Sequence, residues 1–73
     1  MKKFFDLTEK DIEIIFAYAE NNMRTTETAY QIYVHRNTVE YHLDKVKRKT
    51  GLDPKKFYDL VKLISELTER SQK

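Results

Sequence analysis

The sequence predicts an all-α domain, and three observations carry that expectation. One Gly and one Pro in 73 residues leave too little turn vocabulary for a sandwich or barrel of many short strands. Apolar residues recur at helical spacing in four stretches instead of alternating as they do along a strand. Hydrophobic residues make up 40% of the chain and charged residues 36%, too apolar for a disordered segment and too polar for a membrane one. A chain of this length buries only about 60% of its unfolded surface around one core, so residues 1–73 are expected to form a single domain.

Thr8 opens the first helix, expected over about 9–21: its hydroxyl can cap, and Asp11 three residues on resembles the acidic partner of a capping box. Ile12, Ile15, Phe16 and Ala19 form its apolar stripe, and Asn21-Asn22 supplies the stop. A second, short helix is expected over about 26–33, capped by Thr25 or Thr26, with Ala29, Ile32 and Tyr33 at helical spacing. This reading places Tyr33 in the core and Tyr30 on the surface. Val34 is then one apolar pin before the polar stretch His35-Arg36-Asn37.

Periodicity resumes at Val39, Leu43 and Val46 for a third helix over about 36–50. Gly51 ends it, because glycine enters the left-handed conformation without strain. Asp53-Pro54 reads as an N-cap followed by proline at the first helical position, which starts helix 4 at 54 and runs it to about 69. Phe57, Leu60, Val61, Ile64 and Leu67 mark its buried face. Four helices with short connections make a compact helical domain without a sheet.

Several functions are excluded by what the chain lacks. Without Cys there is no disulfide and no thiolate metal site. The longest apolar run, Ile14 to Ala19, is far short of the roughly 20 residues that span a bilayer, and the N-terminus has no signal-peptide pattern, so a cytoplasmic location and no membrane partner are expected. No glycine-rich loop, His-Glu metal motif or Ser-His-Asp constellation is present, so neither catalysis nor a cofactor is expected. His35 and His42, seven residues apart, would stand roughly 10 Å apart along a helix, against the i, i+4 spacing of a helical metal pair. Net charge is +2, divided as −2 over residues 1–33 and +4 over 34–73, a basic bias that permits a nucleic-acid partner without demanding one.

The informative feature is the pair formed by helices 2 and 3. A short helix, a tight connection and a longer helix with a hydrogen-bonding outer face are the outline of a helix-turn-helix. Ala29 would let the two helices approach, Val34 would plug the turn, and Val39 and Leu43 would anchor helix 3 inward. Turning helix 3 by 100° per residue puts Asn37, Tyr41, Asp44 and Arg48 on the outer face with Lys45 beside them. Arg36, Glu40 and Lys47 fall on one flank, and Thr38, His42 and Lys49 on the other. Arg and Asn near the start of such a helix are suited to bidentate contacts with guanine and adenine edges. His35 suits a capping or turn position with a phosphate contact as a second role, and Thr26 sits where the start of helix 2 would meet a phosphate. The run Lys45, Lys47, Arg48, Lys49 is explained both by the helix dipole and by phosphate contact.

The same stretch resembles the C-terminal helix-turn-helix domain of PucR-type bacterial transcription regulators. The residues that carry the resemblance are Ala29 through Ile32, Val34-His35-Arg36-Asn37-Thr38-Val39, Tyr41, Leu43, Val46 and Thr50-Gly51-Leu52-Asp53-Pro54. The resemblance implies a sequence-specific double-stranded-DNA-binding domain of winged-helix-like or Fis-like helical type, with Arg36, Asn37, Thr38 and Tyr41 as recognition-helix positions. It also implies a larger sensory region that this chain does not carry. His42 stands where the family has Arg, and Glu40 and Asp44 occupy positions that are often basic. Those departures motivate a second expectation, a protein-interaction or dimerisation module that keeps the fold without DNA binding. Self-association would fall to helix 4, or to helix 1 with Phe4 and Phe5.

Overall fold

Thr8 starts α1 (Glu9–Glu20) with a complete capping box: Thr8 Oγ1 accepts from the Asp11 amide at 3.1 Å, and an Asp11 carboxylate oxygen accepts from the Thr8 amide at 3.0 Å. The computed structural model describes residues 7–71, with side chains as far as Glu69, and places three further helices: α2 (Thr25–Gln31), α3 (Arg36–Thr50) and α4 (Phe57–Ser71). No strand occurs among the described residues, and the domain is all-α. The role expected for Phe4 and Phe5 lies outside the described residues.

The first two helices end in the same way. At the end of α1 the Met23 amide donates to Tyr18 O at 2.8 Å and the Asn22 amide to Ala19 O at 3.2 Å, a Schellman turn with Asn22 in the left-handed conformation at φ 57°. At the end of α2 the Val34 amide donates to Ala29 O at 3.0 Å and the Tyr33 amide to Tyr30 O at 3.4 Å, with Tyr33 at φ 59°. The next residue in each turn, Met23, which is itself left-handed at φ 63°, or Val34, packs against the core. This geometry overturns two expectations for α2. Its N-cap is Arg24, which makes no side-chain cap, so Thr25 and Thr26 belong to the first turn instead. Tyr33 is 94% exposed and is not a core residue, because the helix stops at Gln31 and Val34 takes the inward position.

α3 ends as expected at Gly51, which is left-handed at φ 80°. α4 does not start at Pro54. Residues 53–56 form a separate turn in which the Asp53 carboxylate accepts from the Lys55 amide at 3.0 Å and Asp53 O accepts from the Lys56 amide at 2.9 Å. Pro54 is buried in that turn, and Asp59, in the first turn of α4, accepts from the Asp53 amide at 3.0 Å.

The core joins Leu7, Ile14, Ile15 and Tyr18 to Ala29, to Val39, Leu43 and Val46, and to Leu60, Leu63 and Leu67. α1 packs on all three other helices, α2 packs on α3, and α4 lies chiefly against α1. The stripe expected for α1 is therefore rotated toward Ile14 and Tyr18, with Ile12, Phe16 and Ala19 half-buried at its edges. On α4 the centre is Leu63, and Phe57 and Val61 are exposed. Nearly half of the residues of that helix are apolar, whereas contact chiefly with one neighbour buries only a narrow strip.

Candidate nucleic-acid interface

α2 and α3 pack together, and buried Ala29 of the one shares the core with buried Val39 and Leu43 of the other. His35 is the N-cap of α3, as expected, and its Nδ1 accepts from the Asn37 amide at a long 3.5 Å. Arg36 and Asn37 are exposed in the first turn of α3, and no hydrogen bond or ion pair among the described residues engages either side chain. Thr38 is half-buried. Tyr41 is 56% exposed and meets the His42 ring edge-on at 5.2 Å. Asp44 and Arg48 continue the exposed face, as the helical rotation predicted. Thr26, exposed on α2, shares an open concavity with Tyr30, Val34, His35 and Arg36.

Lys47, Arg48 and Lys49 fill the last turn of α3 and are exposed, where the helix dipole favours cations. Lys47 lies 3.8 Å from the Asp53 carboxylate across the Gly51 turn.

Two charged residues of α3 are tied down by other elements. Glu40 Oε1 accepts from Lys55 Nζ at 2.6 Å, and the Thr25 side chain also bonds to this carboxylate. The Lys55 ammonium holds Glu40 below the usual carboxylate range, and Glu40 in turn raises Lys55. The negative charge that Glu40 brings to the flank of α3 is thereby matched by a residue from the 53–56 turn.

Lys45, expected beside Asn37 on the outer face, is drawn back to α1. Its side chain is 18% exposed and its Nζ lies 3.2 Å from Asp11 Oδ2. His42 Nδ1 lies 2.5 Å from Asp11 Oδ1, and because a carboxylate only accepts, Nδ1 carries the proton. Asp11 is fully buried. Burial pushes its carboxyl up, but the contacts from His42, the Thr8 amide and Lys45 together outweigh that and hold it below the usual range.

Asp11, His42 and Lys55 are the residues that sequence reasoning missed here. For Asp11 a signal was available: positions 11, 14, 15 and 18 share one helical face, and the other three are buried apolar residues of α1. For Lys55 there was none, since its partner is fifteen residues away on another element. Among the described residues no group of three or more His, Cys, Asp or Glu is placed to hold a metal ion, and no helix is long and apolar enough to cross a membrane.

A seven-residue helix, a turn over residues 32–35 and a fifteen-residue helix, packed on α1 in a strand-free fold, make this a helix-turn-helix domain. The chain matches the PucR C-terminal helix-turn-helix domain family over residues 12–69 and belongs to that family. It is thus a helix-turn-helix domain of the kind that PucR-type transcription regulators carry. It is 36% identical over 51 residues to the carbohydrate diacid regulator of Escherichia coli, covering 70% of this chain and 13% of that protein. It is 37% identical over 62 residues to the purine catabolism regulatory protein of Bacillus subtilis, covering 70% and 12%. With the transcriptional activator PmfR of Paenarthrobacter nicotinovorans it shares 42% identity over 41 residues, covering 56% and 9%. The chain spans less than a fifth of the length of these relatives. No solved structure matches it.

Proposed function

We propose that this domain binds double-stranded DNA in the bacterial cytoplasm with α3 in the major groove, as the reading head of a transcription regulator. The observation that carries the reading is the exposed pair Arg36–Asn37 in the first turn of α3, whose side chains make no hydrogen bond or close ion pair among the described residues, Arg36 feeling only the longer-range attraction of Glu40, where a helix laid in the groove presents its side chains to base edges. Arg36 suits guanine and Asn37 suits adenine. Tyr41 and Thr38 flank them. His35, Thr26 and Arg48 suit phosphates on either side, aided by Lys49.

The rival reading, a protein-interaction module, drew on Glu40 and Asp44. With Lys55 bound to Glu40, Asp44 is the acid on the outer face that no ion pair engages among the described residues. Helix-turn-helix proteins commonly bind as dimers to half-sites about one helical turn apart. The second copy would dock on α4, where Phe57, Tyr58 and Val61 are exposed. A sensory domain would come from a longer chain or a partner.

The test is selection from a random duplex pool at about 50 and about 200 mM salt, with Arg36→Ala and Asn37→Ala in parallel. Each substitution should cost about 1–3 kcal/mol and relax preference at one base position. Unchanged affinity in both variants for the selected duplex would remove this reading.

A further inference from the structure

Lys45 and His42 leave the same edge of α3, three residues apart, and both end on one carboxylate from another helix. That carboxylate, Asp11, is fully buried, and the Thr8 amide, His42 and Lys45 supply it with three donors, one of them from its own cap. α1 therefore grips the helix proposed to read DNA at two points, about one and a half and about two turns in from the exposed Arg36–Asn37 pair. One of the lysines of α3 is at the same time turned away from the outer face.

We propose that Asp11 sets the selectivity of this domain for its target site over bulk DNA, by fixing the rotation of α3 and by withholding Lys45 from the phosphates. The inference rests on the DNA-binding reading above. Non-specific binding is almost wholly phosphate neutralisation and grows with the number of cations that reach the backbone. Base reading depends instead on the register in which a few side chains meet the groove. An internal counter-ion for Lys45 lowers the first term and leaves Arg36 and Asn37 untouched. A two-point clamp on α3 protects the second. Asp11 touches no nucleic acid in this scheme and acts through Lys45 and His42, so it is a positioning residue.

The experiment uses the full chain, the duplex obtained by selection and a scrambled duplex of equal length. Affinities of the wild type, Asp11→Asn, Lys45→Met and the double variant are measured at about 50 and about 200 mM salt, with circular dichroism to verify folding. Asp11→Asn frees Lys45. It should bind the scrambled duplex more tightly and steepen the salt dependence by about one phosphate contact, a three- to four-fold larger loss of affinity between about 50 and about 200 mM salt. The ratio of selected to scrambled affinity should shrink. Lys45→Met should leave the salt dependence unchanged on both duplexes, and the double variant should return to the wild-type slope.

Flattening of the slope by Lys45→Met would make Lys45 a phosphate contact and overturn the proposal. A folded Asp11→Asn with unaltered slope and ratio would overturn it equally. If Asp11→Asn does not fold, Lys45→Met alone decides. A wild type with no preference between the duplexes refutes the DNA reading and this proposal with it, whereas a selective wild type with either adverse result refutes this proposal alone.

Discussion

Tyr33 carries two costs at one residue. Its backbone is left-handed at φ 59°, where an L side chain costs about 1–2 kcal/mol, and its ring is 94% exposed, so burial offsets none of it. The Schellman turn that ends α2 requires that conformation, since Val34 must double back to bond Ala29 and reach the core. Replacing Tyr33 with Gly should stabilise the domain by about 1 kcal/mol, less than the full strain because glycine also frees the unfolded chain. A rise of several degrees in Tm would register it, and a fall would mean that the ring makes a contact the strain conceals. The reason Tyr33 reads as core in the sequence is equally local. Helical spacing from Ala29 runs on through Ile32 to Tyr33, and nothing in the residue types announces that the helix has already stopped at Gln31. At α3 the opposite holds: Gly51 is the stop signal, and the helix ends where glycine says it must.

Between helices, charge does what apolar periodicity cannot reveal. Asp11 titrates below the ordinary aspartate value in the folded protein because His42, Thr8 and Lys45 outweigh its burial. A depressed carboxyl contributes stability that is complete above the unfolded value, near pH 4, and lost as pH falls through the folded value. Glu40, held down by Lys55, acts in the same direction. Lys55 is raised by Glu40, so its share is complete below the ordinary lysine value and lost as pH climbs through the elevated one. Urea midpoints from about pH 6 down to about pH 2 should therefore fall for the wild type and fall less steeply for Asp11→Asn. A parallel pair of curves would show that the clamp contributes nothing to folding. These bridges also mark the limit of reading elements from sequence. α1, α3 and the outer face of α3 follow from spacing and caps, but α4 begins three residues later than Pro54 suggests. The turn from Asp53 to Lys56 has its own work, with Pro54 buried and Lys55 reaching across to Glu40.

For the molecule as a whole, one core, with eleven buried apolar residues among the described ones, holds four helices together without a disulfide. Domains of this size are stable by only about 4–11 kcal/mol, so a single cavity at the centre is serious. Leu63, fully buried on α4, should cost about 2–5 kcal/mol when cut to Ala, read as a lower urea midpoint at unchanged slope. Val61→Ala, on the exposed edge of the same helix, should cost under 1 kcal/mol, and the contrast checks which strip of α4 is buried. The helix count and the all-α class were legible because a chain with one Gly, one Pro and four periodic stretches has few other ways to fold. The orientation of each stripe was not, because it depends on which neighbour covers it.

α1 packs firmly on all three other helices, and α4 rests chiefly on α1. Such an arrangement has an opening order. α4 can peel away while α2 and α3 stay seated, whereas releasing α1 dissolves the core from every side. Native-state amide exchange should then resolve two cooperative units, with α4 protons escaping at lower free energy than those of α1 and α3. One common value for all four helices would show that they open only together.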